Sequence, residues 1–112
     1  MTKKPIALIT GAAQGIGYAC AEALSEDGYD VILSDVNADG GVQAAEKIGG
    51  TATDCDRGDL AQSDARCAQI AAEHGPLSAL VNNAGVAMPG DFLSYDVDTF
   101  EKVIDINLRG VF

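Results

Sequence analysis

Positive charge is scarce in this sequence. Only 7 lysines and arginines stand against 17 aspartates and glutamates, which gives the 112 residues a net charge of −10. Proteins that bind nucleic acid or an anionic membrane surface usually present a basic patch, so this balance argues against both partners. No apolar run reaches the roughly 18 residues that a membrane-spanning helix needs, and the first residues do not resemble a signal peptide. The sequence therefore predicts no nucleic acid and no membrane as partners.

Cysteine is also scarce, and histidine occurs once. Cys20, Cys55 and Cys67 are odd in number, far apart and without a C-x-x-C pair, which argues against a disulfide framework and against a metal site. We expect reduced thiols that pack as small hydrophobic side chains, as is typical of a cytosolic protein. The predicted location is therefore cytoplasmic, and no metal is expected.

Apolar residues are plentiful, at 47% of the chain, which is enough for one globular domain of ordinary size. Short continuous apolar runs, typical of buried strands, alternate with runs that have helical spacing. This order predicts an α/β fold, a doubly wound (Rossmann) parallel sheet of which residues 1–112 form the first four strands and four helices. The strands are expected at 6–9, 31–33, 51–55 and 77–81, and the helices between Gly17 and Gly28, at 39–48, at 60–74 and from about 96.

Each predicted helix has an apolar face, and we expect the faces of the first and the last helix to be buried. In the first helix the face consists of Ile16, Ala19, Cys20, Ala23 and Leu24. In the last helix it consists of Val97, Phe100, Val103, Ile104, Leu108 and Val111.

A glycine-rich segment, Gly11-Ala12-Ala13-Gln14-Gly15-Ile16-Gly17, lies between the first strand and the first helix. Glycines let the backbone turn sharply and approach a ligand closely, and the start of a helix offers unpaired N–H groups to an anion. A diphosphate fits this chemistry. The spacing differs from the common G-x-G-x-x-G fingerprint, and a turn that serves only tight packing is the alternative.

Asp35 ends the second strand, 20 positions after Gly15. A carboxylate at that place is expected to accept hydrogen bonds from both ribose hydroxyls of an adenosine. It would repel a 2′-phosphate, and neither Gln14 nor Val36 supplies a cation to hold one, so NAD is favoured over NADP. The alternative is a solvated aspartate at the start of a turn.

Asn107 is the one polar residue on the apolar face of the last helix, three positions after Ile104. A buried amide that lacks partners costs about 1–3 kcal/mol, so a function for this side chain is one explanation. An asparagine that simply binds a neighbouring carbonyl group is the other.

Together these features resemble the N-terminal half of a short-chain dehydrogenase/reductase, and the resemblance covers essentially all 112 residues. It rests on the segments Thr10-Gly11-x-x-x-Gly15-Ile16-Gly17, Asp35, Cys55-Asp56-x-x-Asp59, Asn82-Asn83-Ala84-Gly85 and Ile106-Asn107-Leu108-Arg109-Gly110. Two positions depart from the family pattern, with Arg57 in place of a small apolar residue and Ser78 in place of an aspartate.

The resemblance implies a role for each of these segments. The glycine segment, with Gly11, Ala13, Gln14, Gly15, Ile16 and Gly17, would hold the pyrophosphate of NAD. Asp35 and Val36 would hold the adenosine ribose, Asp56 and Arg57 the adenine edge, and Asn83, Ala84 and Gly85 the nicotinamide ribose. Asn107 would bend its helix and hold a water of a proton relay, which makes it the one catalytic candidate.

The family's chemistry also needs a serine and a Tyr-x-x-x-Lys pair, and no such pair occurs in these 112 residues. We therefore expect the N-terminal part of an NAD-dependent oxidoreductase that transfers hydride between the nicotinamide and a secondary alcohol or ketone, inactive as a 112-residue chain. The whole enzyme would be a homo-dimer or homo-tetramer. The alternative is a complete, non-catalytic module that binds a nucleotide or another protein. A methyltransferase would not explain Asn82 to Gly85 together with Asn107.

Overall fold

Four strands and four α-helices alternate along the chain in a computed structural model, which describes residues 4–56 and 58–112. They are β1 (Ile6–Thr10), α1 (Gly15–Glu26), β2 (Asp30–Asp35), α2 (Ala38–Ile48), β3 (Thr51–Asp54), α3 (Leu60–His74), β4 (Ala79–Val81) and α4 (Val97–Ile104). A short 3-10 turn at Phe92–Ser94 precedes α4, and a π-helical segment at Asp105–Arg109 continues it. The predicted fold class is confirmed.

The sheet is parallel and has the strand order β3-β2-β1-β4. The chain thus builds outward from β1 on one side, through β2 and β3, and then crosses over to place β4 on the other side. In such sheets a crevice opens beyond the carboxyl ends of the strands, where the winding direction changes. Here that position lies between β1 and β4.

Strand β1 lies at the centre of the core, and all five of its residues are buried. Successive side chains point to opposite faces of the sheet. Ala7 and Ile9 belong to a cluster that includes Ala21 of α1, whereas Leu8 belongs to a second cluster with Ile70 of α3. Helices therefore cover both faces of the sheet, which explains the continuous apolar run in the sequence.

The prediction for the buried face of α1 holds for Cys20 and Leu24, which pack against the core, and is wrong for Ile16, Ala19 and Ala23. Gly17 and Ala21 are buried, whereas Ile16 is 75% exposed and Ala19 and Ala23 are exposed. The reason is the close approach of α1 to the end of β1, which only a residue without a side chain permits at Gly17. Large apolar residues on a helix mark its buried face less reliably where small residues allow tight contact.

The predicted burial of the apolar face of α4 is also wrong. Phe100 is 53% exposed, and Leu108, in the π-helical segment, is 66% exposed. Strand β4 is the outer strand of the described sheet, and its Leu80 is 52% exposed. Within residues 4–56 and 58–112, α4 packs mainly against the π-helical segment that continues it and little against the sheet, so its apolar side chains stay exposed. None of the helices described for residues 4–56 and 58–112 is long and apolar enough to cross a membrane.

Candidate functional site

A cleft of about 350 Å³ lies at the carboxyl ends of β1, β2 and β4, at the position where the winding direction changes. It brings together nine of the residues predicted from the sequence: Gly11, Gln14, Gly15, Asp35, Val36, Asp56, Asn83, Ala84 and Gly85. It also contains four residues that sequence reasoning missed: Ser34, Cys55, Val86 and Ile106. Ala13, Ile16, Gly17 and Asn107 do not line the cleft, and the predicted site residue Arg57 lies outside the described residues.

The three glycines of the first turn have different physical roles. A Cβ atom at Gly17 would overlap the carbonyl oxygen of Gly11, and one at Gly11 would lie 2.9 Å from Nδ2 of Asn83. Close packing therefore explains Gly11 and Gly17. Gly15 has φ +62° but nothing within 4 Å of the place where a Cβ would be, so no packing contact requires a glycine there. Its backbone is open to a ligand in the cleft.

The start of α1 differs from the starts of the other three α-helices. The side chains of Asn37, Asp59 and Asp96 each accept a hydrogen bond from a backbone N–H in the first turn of α2, α3 and α4. Gln14, at the N-cap of α1, makes no such bond, and the first turn has no acidic residue. Gln14 and Gly15 both line the cleft, so the positive end of α1 faces it without a side-chain cap.

Asp35 lies half-buried at the end of β2, next to the glycine turn. Its Oδ2 accepts a hydrogen bond from the N–H of Ala13 at 2.9 Å, and its Oδ1 accepts one from the N–H of Asn37 at 3.0 Å. An ionised carboxylate has about four acceptor positions, so two remain for a ligand. The residues that line the described cleft include two carboxylates, Asp35 and Asp56, and no lysine or arginine.

Thr10 connects the end of β1 to the segment after β4. Its buried hydroxyl oxygen accepts hydrogen bonds from the N–H groups of Asn83 and Ala84, at 3.0 and 2.9 Å. In return, Nδ2 of Asn83 donates to the carbonyl oxygen of Gly11 at 3.1 Å. These three bonds join residues more than 70 positions apart and hold both sides of the cleft together.

Asn107 lies in the π-helical segment that continues α4, and its side chain is exposed, so the expectation of a buried amide is wrong. Its Oδ1 accepts a hydrogen bond from the N–H of Val86 and its Nδ2 donates to the carbonyl oxygen of Val86, both at 2.8 Å. A Cβ at Gly85 would lie 3.3 Å from the same Oδ1. The amide thus fixes the segment after β4 to the end of α4, and π-helical turns of this kind are frequent at functional sites.

The far wall of the cleft joins a predicted residue, Asp56, to a missed one, Ile106. Asp56 follows β3, and its Oδ1 accepts a hydrogen bond from the N–H of Gly58 at 2.9 Å. A Cβ at Gly58 would lie 3.0 Å from Cγ1 of Ile106, so the end of α4 lies over this turn. Both missed residues could have been found from their neighbours, because Ile106 directly precedes Asn107 and Val86 directly follows the Asn82 to Gly85 segment.

The cleft has the chemistry that a dinucleotide requires. The open backbone at Gly15 and the uncapped start of α1 suit a diphosphate, and the acceptor capacity of Asp35 suits a ribose. Among residues 4–56 and 58–112 no group of three or more His, Cys, Asp or Glu side chains is arranged to hold a metal ion.

Comparison with known proteins identifies the family. Residues 5–112 match the family model described as short chain dehydrogenase. The chain is 36% identical over 107 residues to short-chain dehydrogenase reductase ATA1 of Arabidopsis thaliana, covering 95% of this chain and 39% of that protein. It is 38% identical over 107 residues to galactitol 2-dehydrogenase of Agrobacterium fabrum, covering 94% of this chain and 42% of that protein.

A solved structure is similar over nearly the whole chain. It is the 3-ketoacyl-(acyl-carrier-protein) reductase from Brucella melitensis complexed with NADH, with a TM-score of 0.89 and 31% identity over 96% of this chain and 46% of that one. The chain thus spans less than half the length of the relatives that it matches. On the family match and these relatives, it belongs to the short-chain dehydrogenase family of oxidoreductases.

Proposed function

We propose that this chain forms the NAD(H)-binding part of an oxidoreductase that transfers hydride between a nicotinamide and a secondary alcohol or ketone. The observation that carries the proposal is a pair of features in one cleft, the uncapped start of α1 and the carboxylate of Asp35. One attracts the diphosphate and the other accepts ribose hydroxyls. Family membership supplies the redox chemistry, because NAD, when bound, carries the hydride.

The residues of the glycine turn would bind the diphosphate through their backbone. Gly15 and the first N–H groups of α1 are open to it, and Ala13, Gln14 and Ile16 complete the same segment. Gly17 contributes indirectly, because it allows α1 to approach the end of β1. The turn therefore binds and orients the cofactor without a charged side chain.

The other predicted residues would place the two ends of the cofactor. Asp35 with Val36 would hold the adenosine ribose, Asp56 with Arg57 the adenine edge, and the segment from Asn83 to Gly85 the nicotinamide ribose. The position of these described residues around one cleft supports the assignment. Thr10 holds the Asn83 segment at its place beside the glycine turn.

Charge supports NAD over NADP in this proposal. A 2′-phosphate would place negative charge beside Asp35, and the described lining of the cleft has no basic residue to balance it. Two like unit charges 4 Å apart repel by about 1 kcal/mol in water and by more in a half-buried site. The name of the Brucella melitensis structure, which includes NADH, agrees with this choice.

The names of two relatives support the proposed substrate class. Galactitol 2-dehydrogenase reacts at position 2 of a polyol, and the 3-ketoacyl reductase reacts at position 3 of an acyl chain. Both positions lie inside a carbon chain, so the reacting group is a secondary alcohol or a ketone. We propose the same class of small-molecule substrate for the protein that contains this chain.

Asn107 would act at the edge of this site. Its two bonds to Val86 use one donor and one acceptor of the amide, so one of each remains for a water molecule. We propose that it takes part in a proton relay through that water while it keeps the end of α4 against the segment after β4.

The test of the proposal is calorimetric titration of the purified protein with NADH and with NADPH. We expect NADH to bind at least tenfold more tightly, because NADPH adds the repulsion at Asp35. Equal or tighter binding of NADPH would refute the assignment of Asp35 and of NAD. Binding of neither nucleotide would refute the cofactor site itself.

Further parts of the proposal concern the 112-residue chain by itself and the whole protein. The 112 residues have no Tyr-x-x-x-Lys pair, so this chain alone should give no dehydrogenase turnover. A second candidate function is a non-catalytic nucleotide-binding module, which the same cleft would also support. As the purified whole protein it would bind NADH but oxidise no alcohol. We further propose a homo-dimer or homo-tetramer, and a cytoplasmic location in keeping with the free thiols of Cys20, Cys55 and Cys67.

A further inference from the structure

We propose that Asp35 has a second role, as a positioning residue that shapes the glycine turn before any nucleotide arrives. This inference rests on the proposed function and concerns the same site. The carboxylate accepts a hydrogen bond from the N–H of Ala13, inside the turn, at 2.9 Å. It also accepts one from the N–H of Asn37, at the entry to α2, at 3.0 Å. Asp35 therefore connects the phosphate-binding segment to the next helix.

The turn needs such a connection because it contains glycines, whose backbone has few intrinsic restraints. Gly11 and Gly15 adopt φ values of +65° and +62°, and glycine has many other backbone conformations available to it. Between them, the N–H of Ala12 donates to the carbonyl oxygen of Ser34 at 3.1 Å, and the N–H of Ala13 donates to Asp35. Without the second bond, the part of the turn nearest Gly15 loses its link to β2.

The entry to α2 is built against the same part of the turn. The side chain of Asn37 accepts a hydrogen bond from the N–H of Gly40 at 3.0 Å and so caps α2. A Cβ atom at Gly40 would lie 3.3 Å from Cβ of Ala13, so the first turn of α2 lies beside the glycine turn. Asp35 holds both neighbours with one side chain.

A carboxylate is the group that this geometry requires. Each of its two oxygens faces a backbone N–H, and both oxygens can accept. An asparagine has one oxygen and one NH2 group, so the substitution Asp35→Asn would leave one backbone N–H facing another donor. The carboxylate is therefore needed to hold the glycine turn in the unliganded protein, as well as to bind the ribose hydroxyls.

The two roles of Asp35 predict opposite effects of the substitution Asp35→Asn on the affinity for a nucleotide that has no ribose hydroxyls. If the carboxylate only binds hydroxyls, Asp35→Asn removes a negative charge near a diphosphate and should leave the affinity unchanged or raise it. If it also shapes the turn, the same change should lower the affinity, because the diphosphate must then order the turn on binding. The sign of the change separates the two explanations.

The experiment measures dissociation constants of ADP and of 2′,3′-dideoxyadenosine 5′-diphosphate for the purified protein and two variants. Asp35→Asn is the test. Asp30→Asn is the matched control, because Asp30 lies exposed at the opposite end of the same strand and carries the same charge. We expect Asp35→Asn to weaken the dideoxy compound about 3- to 10-fold, the range for one lost hydrogen bond, and to weaken ADP further. Asp30→Asn should change neither by more than about 1.5-fold.

An unchanged or higher affinity of Asp35→Asn for the dideoxy compound would overturn the positioning role while the ribose role stands. If the protein binds no ADP, that result contradicts the proposed function alone. The positioning role is then tested by a second measurement, made without nucleotide. Amide hydrogen exchange at Ala13 or Asn37 should become at least threefold faster in Asp35→Asn, with exchange in β1 unchanged. Equal rates at both amides in the variant and the parent protein would also overturn the inference.

Discussion

The hydroxyl of Thr10 offers the sharpest test of how the site is held together. Its oxygen accepts hydrogen bonds from two backbone N–H groups, those of Asn83 and Ala84, and the side chain is 2% exposed. Valine has the same shape without the acceptor, so Thr10→Val leaves both N–H groups without this partner. Thr10→Ser keeps the acceptor and removes only a methyl group.

The expected loss in the free energy of unfolding depends on how deeply the two N–H groups and the Thr10 methyl group are buried. A buried donor that loses its partner costs about 1–3 kcal/mol, and the half-buried Asn83 and Ala84 place each loss near the lower end. Thr10→Val should therefore lower the free energy of unfolding by about 2 kcal/mol. Thr10→Ser removes one buried methyl group, which costs about 1 kcal/mol. Valine should thus be the more damaging of the two.

The assay is equilibrium unfolding in urea, monitored by circular dichroism, for the parent protein and both variants. Equal slopes of the transitions would allow the midpoints to be compared directly. We expect the order parent, Thr10→Ser, Thr10→Val in decreasing stability. If Thr10→Val is as stable as Thr10→Ser or more so, the two hydrogen bonds do not hold the segment after β4, and the account of the cleft is wrong.

Two other predictions concern a pair of glycines and a helix cap. Gly17→Ala should lower the thermal midpoint by many degrees because the new Cβ would overlap the carbonyl oxygen of Gly11, whereas Gly15→Ala should cost only about 1 kcal/mol for its positive φ. Calorimetric melting checks the pair, and similar midpoints would contradict the packing argument. Asp59→Ala should cost about 1 kcal/mol, since its side chain accepts hydrogen bonds from the N–H groups of Ala61 and Gln62 at the start of α3. An unchanged urea midpoint would show that this cap contributes nothing.

The order of strands and helices could be predicted from the sequence because it depends on local spacing. The apolar run at 6–9 lies within β1, and the helix predicted at 60–74 is α3, with the same bounds. Helix α1 ends at Glu26, shortly before Gly28, which was its expected limit and has φ +95°. Each of these predictions concerns neighbours in sequence, whose preferences survive in the folded chain.

The buried faces of the helices could not be predicted in the same way. Ile16 is apolar and correctly spaced, but it lies at the first turn of α1 beside the cleft and is exposed. Phe100 is exposed because α4, within residues 4–56 and 58–112, packs little against the sheet. The periodicity of apolar residues shows that a helix has an apolar and a polar face. The position of the helix on the sheet decides which of its residues are buried.

The sequence by itself determined which groups could form a site: a glycine turn before a helix, a carboxylate after β2, and the polar segment after β4. Only the tertiary structure decided that they meet. The order β3-β2-β1-β4 places Thr10 beside Asn83, although 73 positions separate them. The fold also brings Ile106 to the cleft, although the sequence assigned no role to its side chain. The physical reason is that side-chain chemistry is a local property, whereas a cleft is formed by the ends of strands whose neighbours are chosen by the packing of the whole sheet.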